Sequence, residues 1–482
     1  MDFRQLSDGI RLHQQPHHGH GGHGTHSDGQ PDSLTPSAID TGDDSAGDGG
    51  SGVFSGLAIN TPATFFSPVD TAHAAIHGHA DAFQTNAVQV DQHALQIAGI
   101  GGQGGSGNLA AGGSVSAVEA ASGSGAIDSG ANSAGNGGDG YFYGGIIHAS
   151  LVVYEPINIS VAMGYDSTAV ADQTNNASFD QSALQMAGIG GNGGDGNIAA
   201  GGNAALSSST GELIATGGNS AGNGGSGSFS GTLLDAPIVI YHPVNIAVAS
   251  GGGTAEASQS NNVQIDQSST QIAGVGGNGG DGNTAIGGDV SLSGPGSSDG
   301  SEMIQSGGNQ AGDGGDGQAS GGLVHTSFAL YDPVNIAVAG YNSGVSADQA
   351  NNVHLDQSST QMAGMGGAGG GGNLAIGGSS GILLPGLTGG SDAIETGGNG
   401  AGNGGSGHFS GSLVDINVAV YAPINIAIAG PHATAEADQV NNVHIDQSTT
   451  QIAGIGGDGG NGNIALGGDV AAHLLSDLHL LA

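Results

Sequence analysis

The chain has 482 residues, of which 101 are Gly, with no Cys, no Trp and 4% aromatic residues, and its acids outnumber its bases 41 to 2 for a formal charge of −39. The lack of Cys excludes disulfides, thiolate catalysis and Cys-based zinc sites. With Arg4 and Arg11 as the only bases, the chain also lacks the cations that neutralise nucleic-acid phosphate or hold an anionic membrane.

Residues 1–45 are polar and rich in His, Gly, Asp and Ser. Too few apolar groups are present to offset the entropy of ordering, so a disordered head is expected. Its His13, His17, His18, His20, His23 and His26 are candidate ligands for Zn, Ni or Cu through neutral imidazoles, against the plainer reading of a solvated tail. His73, His77 and His79 form a smaller cluster, in which an extended strand puts His77 and His79 on one face. The N-terminus lacks the basic region and apolar core of a secretory signal. No apolar run approaches the roughly 18–20 residues of a transmembrane helix.

Residues 46–469 are an array. Asp446-Gln447-Ser448-Thr449-Thr450-Gln451 is the last copy of a returning phrase whose Gln anchors are Gln96, Gln185, Gln271, Gln361 and Gln451, giving steps of 89, 86, 90 and 90 residues. These anchors divide the array into units 96–184, 185–270, 271–360 and 361–450, flanked by partial units 46–95 and 451–469. A fixed period of this kind predicts stacked supersecondary units.

Within a unit, Ile416, Val418 and Val420 alternate ahead of Tyr421-Ala422-Pro423, and Ile424, Ile426 and Ile428 alternate after it. Period-two alternation predicts half-buried strands, with Pro at a strand end. The same Tyr-x-Pro signature stands at Tyr154, Tyr241 and Tyr331, with Phe66 as its echo. In the polar strand that follows, Val443 and Ile445 are expected inward, with Asn442, His444 and Asp446 outward. The phrase itself reads as a hinge from that strand into a glycine-rich segment.

In the glycine box Gly454 to Gly462, non-Gly residues fall at every third position, Ile455, Asp458 and Asn461. A period of three belongs to an extended left-handed helix of the polyproline II type, here made by Gly. Its bare backbone edges allow neighbouring segments to pair through N–H and C=O groups. Flexible linkers are the alternative.

Two resemblances follow from these residues. Boxes such as Gly276-Gly277-Asn278-Gly279-Gly280-Asp281-Gly282 resemble the glycine-rich tracts of mycobacterial PGRS proteins and of springtail antifreeze proteins. The Asn-x-Val-x-Ile-Asp-Gln strands resemble curlin-type amyloid repeats, although curlin units are near a quarter of this period and springtail proteins carry disulfides. Together they imply a secreted or surface-exposed structural protein. The boxes also look like the start of the calcium-binding nonapeptide of RTX proteins, which makes Asp195 and Asp281 candidate calcium ligands. The match then departs, because Asn197 stands where a large apolar residue belongs and Ser106, Gly371 and Asn461 replace the Asp in sister copies.

Catalysis is not expected. The acids Asp266, Asp356 and Asp446 recur because the unit recurs, whereas a catalytic pair belongs to one cleft. The tail 470–482 places Leu474, Leu478 and Leu481 on one helical stripe. That stripe predicts either a cap on the last unit or an export signal for a type I route that needs no N-terminal signal peptide.

The expected fold is all-β: an elongated, β-solenoid-like repeat array with glycine-rich segments of the polyproline II or polyglycine II type. The expected function is a non-enzymatic extracellular or cell-surface structural, adhesive or matrix protein, with fibre formation by self-association or binding to a polymeric surface. The alternative is a calcium-binding RTX-like repeat or an ice or carbohydrate binder.

Overall fold

The computed structural model describes residues 39–40, 42–117, 126–206, 213–293, 303–385, 393–468 and 470–475. Every regular element among them is a β-strand and none is a helix. The strands pair in parallel, and each unit lays one layer upon the last in fixed register, so that Asn175 lies opposite Asn261, then Asn351, then Asn441. Among the described residues five layers build eight sheets, seven of five strands and one of eight. In the larger sheet the strand Gly317–Tyr331 pairs with two shorter ones below it, Gly227–Asp235 and Ile238–Tyr241, which are separated at Pro237. Proline has no N–H for the ladder, so the strand breaks there.

Alternation decides the interior. In the strand Thr254–Asp266, Val263 and Ile265 are buried while Asn262 and Gln264 are exposed, as the sequence pattern predicts. Because like residues stack on like, Tyr154, Tyr241, Tyr331 and Tyr421 form one column with ring centroids 4.9–5.0 Å apart, and Phe66 continues it beneath. Each hydroxyl donates to an Asn of the facing strand, as Tyr241 does to Asn261 Oδ1 at 2.9 Å. Elsewhere the facing sheets meet through alanines such as Ala169, Ala171, Ala247 and Ala249, whose small side chains permit close packing.

The glycine boxes are ordered and hydrogen-bonded with a three-residue step. Gly101, Gly104 and Gly107 donate N–H to Ile189, Asn192 and Asp195 of the next layer, at 2.8–2.9 Å. Gly102 and Gly105 donate instead to Gly50 and Gly47 in the facing box of their own layer, at 2.7–2.8 Å. A side chain has no room there, since a Cβ on Gly191 would lie 1.9 Å from the carbonyl oxygen of Gly102.

Several sequence expectations change. The anchors Gln185, Gln271 and Gln361 are fully buried. The phrase around them turns from strand to strand: Asp266 accepts the N–H of Ser268, and Ser269–Val275 is a further strand before the box begins. The head assigned to residues 1–45 is ordered at its end, where Ile39–Asp40 and Asp44–Ala46 pair with the second layer. At the other terminus Val470–Leu475 is a strand paired with Ser380–Pro385, because backbone ladder partners outweigh a local helical stripe. Residues 476–482 of that tail lie outside the described residues. The layers also begin near residues 39, 126, 213, 303 and 393, so a unit counted from Gln to Gln is one layer cut at another point.

Candidate functional site

Polar side chains here sort into those that hold the layers together and those left facing out. Among the described residues, three Gln columns and four Asn columns run through the interior. In the anchor column, Gln185, Gln271, Gln361 and Gln451 each donate Nε2–H to the Oε1 of the Gln below, at 2.8–3.0 Å. Asn86, Asn175, Asn261 and Asn351 each donate to the Asn above at 2.8–2.9 Å. A buried primary amide is thereby satisfied by copies of itself. Among the described residues these columns hold the layers together, and their end members in the first and fifth layers have a ladder neighbour on one side only.

The outward rows are different. Asn176, Asn262, Asn352 and Asn442 form an exposed amide ladder across the layers. Beside it runs the row Ser178, Gln264, His354 and His444, in which the two imidazoles stack at 5.0 Å. A groove of about 690 Å³ lies along these two rows. Its polar groups recur at the strand spacing of ~4.8 Å, which suits an extended ligand with its own repeat rather than a compact substrate.

An interior column with titratable members departs from like upon like. In register at the ninth residue of the strands that begin at Gly52, Gly140, Gly227, Gly317 and Gly407, the five layers carry Asn60, His148, Asp235, His325 and Asp415. His148 Nδ1 meets Asp235 Oδ1 at 2.7 Å and His325 Nδ1 meets Asp235 Oδ2 at 3.1 Å, all three side chains being fully buried. Burial pushes the Asp235 carboxyl up, but the hydrogen bonds from His148 and His325 outweigh it and hold the group below its ordinary value. An ionised carboxylate only accepts, so each imidazole donates through Nδ1–H. Sequence reading missed this column because it appears only once the units are set in register.

The candidate metal ligands fall out as follows. Asp195 and Asp281 are exposed and sit in adjacent layers. Asp195 accepts the N–H of Asp281 at 2.9 Å, and Asp281 that of Gly371 at 2.6 Å. His13, His17, His18, His20, His23 and His26 lie outside the described residues. His77 and His79 do not converge; each is paired separately, with Asp166 and Asp81. Among the described residues the one grouping of ligand-type atoms is Asp91, His93 and Asp180, all within 4.8 Å. His93 and Asp91 are joined by a short contact, and their side-chain hydrogen bond holds Asp91 low and raises His93. In the other layers Ser replaces His93, as at Ser182 and Ser268, so the group occurs where the first layer meets the second and its His is not repeated above.

No protein-family model, curated protein or solved structure matches this chain. No helix among the described residues is long and apolar enough to cross a membrane.

Proposed function

We propose that this is a non-enzymatic structural repeat protein of the extracellular or cell-surface matrix, built as a β-solenoid of five very wide coils whose glycine boxes are polyglycine II-type segments. The observation that carries the reading is the division of polar groups: interior amides are consumed in ladders, while the outward rows repeat at one layer spacing. Such a body is a rigid template for something that also repeats, either a second copy or a polymer chain. The acid surplus keeps copies apart until it is screened, which suits a protein exported before it assembles. Export by a type I route through the C-terminal tail fits the same picture.

The groove along Asn176, Asn262 and Asn352 favours a second reading, a binder of ice or of an extended carbohydrate, in which the amide row meets the ligand's hydroxyls. Electron microscopy of the purified chain, with and without calcium, tests the first. Single particles are expected without calcium and rods that lengthen by self-association with it, where the acid surplus is screened; compact single particles under both conditions sink it. Co-sedimentation of the same samples with insoluble polysaccharide separates the two readings. Calcium-driven folding by circular dichroism would point instead to the RTX-like alternative.

A further inference from the structure

Two interior columns are Asn in every layer but the first. One is Asn132, Asn219, Asn309 and Asn399; the other is Asn158, Asn245, Asn335 and Asn425. In both, each Nδ2–H donates to the Oδ1 of the layer above, at 2.8–2.9 Å. At the foot of these columns the first layer carries acids, Asp44 below Asn132 and Asp70 below Asn158. An ionised carboxylate has no hydrogen to give. Accordingly Asn132 Oδ1 and Asn158 Oδ1, both buried, have no hydrogen-bond partner. An orphaned buried acceptor destabilises the fold, and Asn at either foot would remove the defect.

At the opposite end the ladders stop short. Asn245 Nδ2 donates to the carbonyls of Ala171 and Ser258 and to Asn335 above it. Asn425 makes the first two kinds of bond, to Ala347 and Asp438, and among the described residues has no layer above.

We propose that Asp44 and Asp70 are a charge gate on head-to-tail stacking, which keeps the fifth layer of one copy from seating on the first layer of another until the two carboxylates are neutralised. This rests on the reading of the chain as a self-associating structural protein. The other interior columns continue across such a junction. Tyr421 would stack on Phe66 as Tyr154 does, and Phe409 on Phe54 as Phe142 does. Asn441 would meet Asn86, and Gln439 would meet Gln84, each extending an existing ladder. Asp415 Oδ1, which has no partner, would receive the amide N–H of Asn60.

The two acids are the exception. Seating would bury each carboxylate against an Asn oxygen above it with a single amide donor below, and an inward charge on a sheet edge opposes pairing for that reason. Once protonated, a carboxyl imitates the amide it replaces: its O–H donates to Asn158 Oδ1 and its C=O accepts from Asn425 of the other copy. The strands packed against Asp44, Leu109–Ala111 and Asn132–Ala134, carry no titratable group, and Asp43 and Asp48 flank it on its own segment. Around Asp70 the titratable groups are His73 on its own strand, His79 and Asp81 on the strand packed against it, and Asp172 one layer up.

The test compares the full chain with D44N/D70N and with D195N/D281N, which makes the same charge change on the outer face. Sedimentation velocity and electron microscopy are run at neutral pH and physiological salt, with thermal melts alongside. Wild type and the control should stay single, while D44N/D70N forms a series of heavier species and lengthening rods and melts at a higher temperature than wild type. Wild type stacking as readily as the variant, or the control stacking equally well, overturns the gate and leaves self-association standing. A folded D44N/D70N that stays single at every concentration overturns both. Should the pair fail to fold, D44N and D70N are read singly by the same criteria.

Discussion

Asp235 shows how one residue can hold a column whose members differ. Its two oxygens are divided between His148 and His325, which stand one layer below and one layer above. An Asn there could accept from one imidazole only, and its NH₂ would face the Nδ1–H of the other. D235N is therefore expected to lose about 1–3 kcal/mol, the usual cost of an orphaned buried donor, as measured by denaturant melts. The sign with pH follows from the lowered carboxyl. An unfolded Asp titrates near about 3.9, so the contribution is present above that value and is lost as pH falls through the lower folded one. Wild type should lose its advantage over D235N below pH about 4; an advantage unchanged into stronger acid would show that Asp235 is not ionised in the fold.

At the scale of the element, the glycine boxes join the sheets into one body. Corresponding glycines in different layers meet different surroundings: a Cβ on Gly279 would lie 1.9 Å from the Gly312 carbonyl oxygen of the layer above, whereas one on Gly459 finds only Gly402 oxygen at 3.6 Å. G279A should cost about 1–3 kcal/mol or more through overpacking, and G459A should stay within about 0.5 kcal/mol of wild type. Equal melting temperatures would mean that the boxes do not pack as backbone on backbone. Much of this was legible in the sequence, because strand alternation and the three-residue Gly step are local patterns that survive without knowledge of neighbours. The direction taken by the anchor glutamines was not. Gln267 and Gln271 face the interior because the corner at Asp266 turns the chain between two strands, and no local pattern marks that corner. His148, Asp235 and His325 sit 87 and 90 residues apart, and only inter-unit register makes them one group. Asp44 and Asp70 were hidden likewise, since an acid in a polar segment is unremarkable until the column above it is Asn throughout.

Across the whole molecule, columns couple the layers, and the tyrosine column offers a way to read that coupling. Tyr154, Tyr241, Tyr331 and Tyr421 run through four of the five layers, each with its hydroxyl bonded to an Asn. Burial raises all four phenols, Tyr421 in the outermost layer being pushed up to about 12 and the three beneath it further. An unfolded Tyr ionises near about 10. Folding therefore holds protons that the unfolded chain releases, so stability is complete below pH about 10 and falls as pH rises from there through the folded values. With the four tyrosines outside the column, Tyr141, Tyr143, Tyr165 and Tyr341, replaced by Phe, tyrosinate absorbance and the strand signal in circular dichroism should change together in one alkaline transition. Ionisation of one buried phenol removes a donor and places a charge beside the next ring, so its neighbours lose their seats as well. Tyrosinate appearing well before the strand signal falls would mean that the column opens layer by layer and that the layers are held independently.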